Sequence, residues 1–345
     1  MATLYDVCKK TGFSTATISR VLNRKDVVTE KTRQIVLDAV KELNYRPKPA
    51  ARMLAGHKTE TLGVIFPEID NGFYVQVLRG IDNAAKEAGL HLLVSFYHDK
   101  AGLKETLLSL ALDGRSDAIV MINIDLSDRQ VKKLVNDTVP VVMIGHSAET
   151  SATFDVVEID NTNGAASAVT YLLNKGIENI LLLTGPADNF DSIQRLNGAK
   201  LAFEDAGKDF STVTIIESNF TYEGGMEQMT DYLESGKSLP EAIFAFNDRM
   251  ALGALEAVKA KGYTVPGDLA LIGFDDTESA LYAGLTSVQV PMMDIGYEAA
   301  NLAIRRIDAQ KGNPSTLTIT TSLSVRNSTQ RPQDDAGRSP SNCGI

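Results

Sequence analysis

Short apolar runs alternate with amphipathic stretches from about residue 60 to residue 330, and this alternation predicts an α/β architecture. Runs such as LGVIF, AIVMI, VPVVMI, NILLLTG and LALIGF are almost continuously apolar, which is typical of strands buried on both faces of a parallel sheet. Helical patterns separate these runs, so the chain predicts doubly wound parallel sheets with right-handed crossovers. Such sheets bind ligands at the carboxyl ends of their strands.

The same region contains a hint of internal duplication. The segments LGVIFPEIDNGFY and ILLLTGPADNFDS each place Asp-Asn and then an aromatic residue just after a predicted strand. We therefore expect two similar lobes, joined by crossings near residues 160, 290 and 323. Two lobes joined in this way enclose a cleft that closes on a ligand by a hinge movement.

The first 47 residues carry a purely helical pattern. Thr3 and Asp6 have the spacing of a capping box, Gly12 supplies a turn, and Ser14 is placed to cap a second helix. A third helix from about Thr29 is predicted to bury one apolar stripe, made of Ile35, Val36, Ala39, Val40 and Leu43. Two helices joined by a tight turn, with a third behind them, predict a helix-turn-helix, whose second helix can enter the DNA major groove.

Charge distinguishes the two regions. Residues 1–60 carry 12 Lys and Arg against six Asp and Glu, whereas the whole chain has a net charge of −10. A basic head on an acidic body indicates that only the head binds a polyanion, because Lys and Arg side chains neutralise phosphates. The second predicted helix carries small or polar residues that suit an approach to base edges, namely Thr15, Ala16, Thr17, Ser19 and Arg20. A structural three-helix unit with a solvated polar face is the alternative from the residues alone.

Composition and motifs argue against several classes of protein. The hydrophobic content of 43% and charged content of 23% are typical of soluble globular chains. Only two cysteines occur, Cys8 and Cys343, so we expect neither a disulfide framework nor a metal site. No signal peptide and no membrane-spanning stretch is visible, which favours the cytoplasm. Phosphate-binding loops, zinc-protease motifs, nucleophile elbows and dinucleotide-binding glycines are also not found, so we expect no enzyme and no cofactor.

The head resembles the DNA-binding headpiece of the lactose-repressor (LacI/GalR) family through TLYDVCKKTGFSTATISRVLN and VTEKTRQIVLDAVKELNYRP. The resemblance implies that Thr15, Ala16 and Arg20 read bases in the major groove. Residues 48–58, KPAARMLAGHK, resemble the hinge helix of that family, which folds on DNA and inserts a leucine, here Leu54, into the minor groove. A flexible linker is the alternative. The residues expected to contact DNA are Thr3, Tyr5, Ser14, Thr15, Ala16, Thr17, Ser19, Arg20, Asn23, Thr32, Ala51 and Leu54.

The body resembles the core of the same family, which is similar to periplasmic sugar-binding proteins. The resemblance implies that Arg195 of RLNG, Asn247 of FND and Asp275 of GFDD contact a small effector. Other candidates follow predicted strands and complete the expected effector site, namely Phe73, Tyr74, His146, Phe190 and Phe220. From the residues alone, a core position is an equal alternative for the phenylalanines, and a structural role is the favoured one for His146.

The expected domain organisation has four parts. They are a headpiece (1–47), a hinge helix (48–58), an effector-binding and dimerisation core (59–330) and a disordered tail (331–345). Within the core we expect an N-lobe of about 59–160 and 292–323, and a C-lobe of about 161–291 and 324–330.

The expected function is that of a ligand-controlled transcriptional regulator. It would act as a homodimeric repressor on double-stranded operator DNA, at the nucleoid in the bacterial cytoplasm, with a sugar or sugar derivative as effector. Met292 stands where relatives can carry an aromatic residue, which argues against a sugar-stacking ring at that position. A purine or a phosphorylated phosphocarrier protein is the alternative corepressor, and a solute-binding receptor is a more distant alternative.

Overall fold

The computed structural model of the chain describes residues 2–23, 28–45, 58–67, 72–122, 126–135, 138–145, 153–308 and 312–330. The chain divides into two compact units, residues 1–60 and residues 61–345. All but the last residue of the predicted hinge helix and the whole predicted tail lie outside the described residues. The same is true of two predicted DNA contacts, Ala51 and Leu54, and of one predicted effector contact, His146.

In its described residues the first unit contains three helices, α1 (Leu4–Thr11), α2 (Thr15–Asn23) and α3 (Glu30–Glu42). The predicted capping box is confirmed, since the Thr3 amide donates to the Asp6 carboxylate at 2.8 Å and the Asp6 amide donates to Thr3 Oγ1 at 3.3 Å. Gly12 ends α1 in the left-handed region, with φ of 73°. The Thr17 amide donates to Ser14 Oγ at 3.2 Å, which confirms Ser14 as the cap of α2.

A small apolar core holds these three helices together. Its buried members are Val7, Ile18, Val21, Val36 and Ala39. The prediction that Ile35 belongs to this core is wrong, because its side chain is 41% exposed. Successive residues on a helix point about 100° apart, so a stripe centred on Val36, Ala39 and Val40 turns its neighbour Ile35 outward.

The second unit is built on two six-stranded sheets within the described residues. The first sheet has the order β2-β1-β3-β4-β5-β11, and all its strands are parallel. Its strands are β1 (Thr61–Phe66), β2 (His91–Phe96), β3 (Ala118–Ile122), β4 (Val141–Ile144), β5 (Asp155–Ile159) and β11 (Thr316–Ile319). The helices of this lobe are α4 (Gly72–Glu87), α5 (Lys100–Ala111), α6 (Asp128–Val135) and α12 (Met292–Asp308).

The second sheet has the order β7-β6-β8-β9-β10-β12, and only β12 runs antiparallel to its neighbour. Its strands are β6 (Ile180–Thr184), β7 (Thr214–Glu217), β8 (Ala242–Ala245), β9 (Ala270–Asp275), β10 (Thr286–Gln289) and β12 (Ser322–Ser324). The helices of this lobe are α7 (Asn161–Asn174), α8 (Phe190–Asp205), α9 (Tyr222–Glu234), α10 (Asp248–Ala260) and α11 (Glu278–Tyr282), with short 3-10 turns at Phe210–Thr212 and Asn327–Thr329.

The chain passes three times between the two lobes. The first crossing lies between β5 and α7, the second between β10 and α12, and the third between β11 and β12. The predicted fold class, a helical head with a two-lobed body of doubly wound sheets, is therefore confirmed, with β12 as the one strand that departs from the parallel rule. This topology places the carboxyl ends of the central strands of both sheets at the cleft between the lobes.

Candidate functional site

The α2 helix of the first unit has two distinct faces. Ile18 and Val21 are buried on the inner face, whereas Thr15, Ala16 and Arg20 are exposed. The structure thus brings the three residues expected to read bases onto one solvent-facing surface. Two further predicted contacts on α2 are half-buried, and one of them, Thr17, bonds Ser14 and belongs to the cap.

The other predicted DNA contacts in the described part of the head lie near helix ends. Thr3 and Tyr5 are exposed at the start of α1, where the Tyr5 side chain is 74% exposed. Thr32 is half-buried in the first turn of α3, with its hydroxyl 3.0 Å from that of the capping residue Thr29. Asn23 is the last residue of α2.

A cleft of about 270 Å³ lies between the two lobes. Six of the eight predicted effector contacts line it, namely Phe73, Tyr74, Arg195, Phe220, Asn247 and Asp275. Sequence reasoning missed several other lining residues, which are Pro67, Ile159, Asn189, Asp191, Asn219, Thr221 and Arg249. Most of them stand directly after strands or in the first turns of helices, so position along the sequence was the signal that could have found them.

Phe190 is not part of the cleft wall. It is the first residue of α8 and is half-buried, while its neighbours Asn189 and Asp191 line the cleft. The side chains of successive helical residues diverge by about 100°, so the expected aromatic contact is replaced by an amide and a carboxylate.

Arg195 is held in one orientation by the protein itself. Its side chain is 5% exposed, and its Nε donates to Asn161 Oδ1 at 2.8 Å. Nη1 donates to the backbone carbonyl of Phe246, and the guanidinium carbon lies 3.8 Å from the ring centroid of Phe274. These contacts leave Nη2 directed toward Asp275, with 3.8 Å between Nη2 and Asp275 Oδ1.

Asp275 presents a carboxyl group with incomplete hydrogen bonding. The residue is 7% exposed and ends β9 with φ of 107°, a region that non-glycine residues rarely adopt. In the described part of the chain no donor lies within hydrogen-bonding distance of its carboxylate. Burial raises its pKa well above the ordinary value, and the nearby Arg195 only partly offsets this. A ligand donor would therefore complete the site.

Phe220 offers a flat apolar surface in the same cleft. Its backbone has φ of 64°, and its carbonyl accepts a hydrogen bond from Asn247 Nδ2 at 2.9 Å. The ring packs directly against Gly185, where an added Cβ would lie 2.1 Å from ring atoms. Asn247 also caps α10 by accepting from the Met250 amide at 2.9 Å, so its side chain shapes the wall through two intramolecular bonds.

Phe73 and Tyr74 form the aromatic part of the opposite wall. Phe73 is 7% exposed, and its ring packs edge-on against Tyr74 with 5.4 Å between centroids. Tyr74 in turn packs edge-on against Phe66. Phe73 is thus mainly a core residue that reaches the cleft.

The described residues include no group of His, Cys, Asp and Glu arranged to hold a metal ion. Likewise, none of the helices in the described ranges is long and apolar enough to cross a membrane.

Comparison with known proteins identifies the family. The profile of bacterial regulatory proteins of the lacI family matches residues 3–48, and that of the periplasmic binding protein-like domain matches residues 169–329. Catabolite control protein A of Priestia megaterium is 33% identical over 95% of this chain and 99% of its own length.

Two solved structures are similar over nearly the whole chain. A lac repressor dimer bound to operator and the anti-inducer ONPF matches with a TM-score of 0.83 and 27% identity, covering 96% of this chain and 99% of that one. A complex of the regulator CelR with cellobiose matches with a TM-score of 0.71 and 29% identity, covering 95% and 100%. The chain belongs to the LacI family of bacterial transcriptional regulators.

Proposed function

We propose that the protein is a repressor that binds operator DNA as a homodimer and is controlled by a sugar or sugar derivative bound in the cleft. The observation that carries the ligand part is the buried, incompletely bonded carboxyl of Asp275, 3.8 Å from Arg195. A ligand hydroxyl can accept from Arg195 and donate to Asp275 at the same time, which fills the gap between them. The similar CelR structure contains cellobiose, which supports the same ligand class.

The remaining cleft chemistry also suits a neutral polyol. Among the described lining residues, two carboxylates, Asp191 and Asp275, are matched by two guanidinium groups, Arg195 and Arg249. A phosphorylated ligand would add negative charge beside two carboxylates. The flat ring of Phe220 can pack against the C–H face of a sugar, and it can also stack on a purine, which makes a purine the second candidate.

Thermal unfolding of the full chain with D-ribose, cellobiose and hypoxanthine tests the ligand proposal. A ligand that binds the folded state stabilises it by about 2.7 kcal/mol at 100 times its dissociation constant, so the melting temperature should rise with one of the sugars. Asp275→Asn should abolish this rise, whereas Asp188→Asn, an exposed carboxyl of a nearby loop, should preserve it. A rise with hypoxanthine alone would favour the purine, and an unchanged rise in Asp275→Asn would place the site elsewhere.

Exposed apolar side chains on the second unit support a dimer. Leu281 and Tyr282 on α11 are 54% and 78% exposed, and Val75 and Met293 are also exposed. A partner subunit that covers them would remove apolar surface from water. The similar lac repressor structure is a dimer on its operator.

For the DNA part, we propose the contacts predicted from the sequence, with Arg20 as the main base reader. Selection from random duplexes should yield a preferred sequence. Arg20→Ala should then weaken specific binding by about 5- to 150-fold, because a bidentate arginine–guanine pair contributes about 1–3 kcal/mol of discrimination. Lys41→Ala, an exposed cation on α3, is the matched control. Equal losses of specific and non-specific binding in Arg20→Ala would contradict the assignment.

The division into headpiece, hinge helix, two-lobed core and tail, with the boundaries expected above, is part of the same proposal. So are the absence of catalysis and an action at the nucleoid in the bacterial cytoplasm, where operator DNA lies. Membership of a family of transcriptional regulators supports both.

A further inference from the structure

Asn161 occupies the point where the chain first passes from one lobe to the other. β5 of the first sheet ends at Ile159, Asp160 caps α7, and Asn161 is the first residue of that helix. Although it is polar and lies at a helix start, Asn161 is only 2% exposed. A polar side chain buried at a crossing needs partners inside the protein.

Both partners of the Asn161 side chain line the cleft. Asn161 Nδ2 donates to Asp191 Oδ1 at 2.9 Å, and Asn161 Oδ1 accepts from Arg195 Nε at 2.8 Å. A carboxylate can only accept and a guanidinium can only donate, so these two partners fix the orientation of the amide. The amide therefore links the first crossing to one anion and one cation of the proposed ligand site.

The neighbouring residue links the first crossing to the third. The Asp160 amide donates to the carbonyl of Ile319 at 3.0 Å, and Thr321 Oγ1 donates to the Asp160 carbonyl at 3.3 Å. Ile319 ends β11, and Thr321 lies between β11 and β12. The residue before Asn161 is thus hydrogen-bonded to a second connection between the lobes.

The next residue fastens the same turn to α8. Thr162 Oγ1 donates to Gln194 Oε1 at 2.6 Å. The Thr162 carbonyl also packs closely on Gly198 of α8, where an added Cβ would lie 2.1 Å from the carbonyl oxygen. The first turn of α7 and the first three turns of α8, which carry Asp191 and Arg195, therefore pack as one body.

We infer that Asn161 is a positioning residue that fastens the second-lobe end of the first crossing to the cleft wall through its bonds to Asp191 and Arg195, and thereby limits the angle between the two lobes. A ligand that pulls on either charged group then acts on the hinge through this amide, a step that rests on the proposed function. Without the amide, the crossing keeps its contacts through Thr162 but loses both hydrogen bonds of Asn161 to the cleft wall, and the two lobes sample a wider range of angles.

The test measures the distance between spin labels on the two lobes by pulsed electron resonance. The labels replace exposed Glu105 on α5 and exposed Glu227 on α9, in the full chain with Cys8 and Cys343 changed to serine. Labelled protein is diluted into unlabelled protein, so that a dimer carries one labelled subunit. No ligand and no DNA is added, so the result does not depend on whether the protein binds either.

Two variants break the link in different ways. Asn161→Leu keeps most of the volume but loses both hydrogen bonds, and Asn161→Asp keeps the bond to Arg195 but repels Asp191. Both should broaden the distance distribution. Asn161→Asp combined with Asp191→Asn restores a donor and an acceptor with their positions exchanged, and should restore the narrow distribution. Asn163→Ala, two residues along α7, loses only an exposed bond to the Asp160 carboxylate and should leave the distribution unchanged.

Circular dichroism shows whether each variant is folded, which separates hinge effects from unfolding. The inference is overturned if both single variants lose thermal stability but keep a distance distribution as narrow as that of the unmutated chain. Asn161 would then have only a structural role. A double variant as broad as Asn161→Asp would overturn it as well. If the selection yields no preferred DNA sequence, or no ligand raises the melting temperature, the proposed function is contradicted. The distance measurement can still be interpreted, because it uses neither DNA nor ligand.

Discussion

Replacing Asp248 by asparagine tests how strongly burial raises the pKa of a carboxyl group behind the cleft wall. Asp248 is 1% exposed, and its carboxylate accepts from Ser287 Oγ at 2.6 Å, the Thr277 amide at 2.7 Å and Thr277 Oγ1 at 2.9 Å. Burial raises the pKa of Asp248 from 3.8 to about 6, because the cost of removing its charge from water exceeds what these three bonds return. The negative charge of Asp276 acts in the same direction.

The sign of the effect on stability follows from the direction of this shift. The folded state binds the proton more tightly than the unfolded state, so the free energy of unfolding falls as the pH rises from about 4 to about 6 and then levels off. The full effect is about 3 kcal/mol, of which about 1.4 kcal/mol falls between about pH 5 and pH 7.5. Asparagine has no charge and can still pair with Ser287 and Thr277, so the variant should lack this loss.

Urea unfolding of the full chain, followed by circular dichroism at several pH values, measures the difference. The unmutated protein should lose about 1.4 kcal/mol of unfolding free energy through Asp248 between about pH 5 and pH 7.5, and Asp248→Asn should not. The difference between the two proteins should therefore change by that amount in favour of the variant. Asp209→Asn is the control, since hydrogen bonds from Ser211 lower the pKa of that exposed carboxyl and its removal should produce no such gain. Parallel pH profiles for Asp248→Asn and the unmutated chain would refute the reasoning.

Two further changes test the packing of the first lobe. A Cβ on Gly80 would lie 2.0 Å from a backbone carbonyl of α12, so Gly80→Ala should lower the free energy of unfolding in urea by about 1–3 kcal/mol. Gly72→Ala on the same helix is the control, because a Cβ there meets nothing within 4 Å. Equal stabilities of the two variants would contradict the close packing at Gly80. Burial would raise the pKa of Asp155, but hydrogen bonds from Arg306 and Ser315 hold it below its ordinary value, so its stabilising effect is present above about pH 4 and is lost as the pH falls. Arg306→Ala should lower the free energy of unfolding at neutral pH by about 3 kcal/mol and flatten this acid dependence, and an unchanged acid limb would count against it.

Local signals in the sequence predicted much of the fold. The capping box at Thr3, the turn at Gly12 and the cap at Ser14 depend on neighbours within three residues, so no knowledge of tertiary contacts was needed. The buried strands were equally visible, because a sheet covered on both faces requires nearly continuous apolar runs. Arg195 and Asp275 were placed in the cleft by resemblance to a family, and the structure brings them together there.

The sequence-based expectations and the structure differ where the outcome depends on rotation about a helix axis. Ile35 and Phe190 lie next to residues that face the core or the cleft, and a register difference of one residue turns a side chain by about 100°. Asn161 and Asp191 resembled ordinary polar residues in first helical turns. Their importance becomes visible only when helices separated by about 30 residues in sequence are placed side by side.

The packing of the Phe220 ring against Gly185 has a consequence for the evolution of ligand preference. Gly185 itself does not line the cleft, yet the space that its missing side chain leaves determines where the aromatic ring stands. A larger residue at this one position would displace the ring and change the shape of the binding site. Every residue that lines the cleft would remain the same. Related regulators with identical linings could therefore select different molecules, and comparisons restricted to contact residues would overlook the cause.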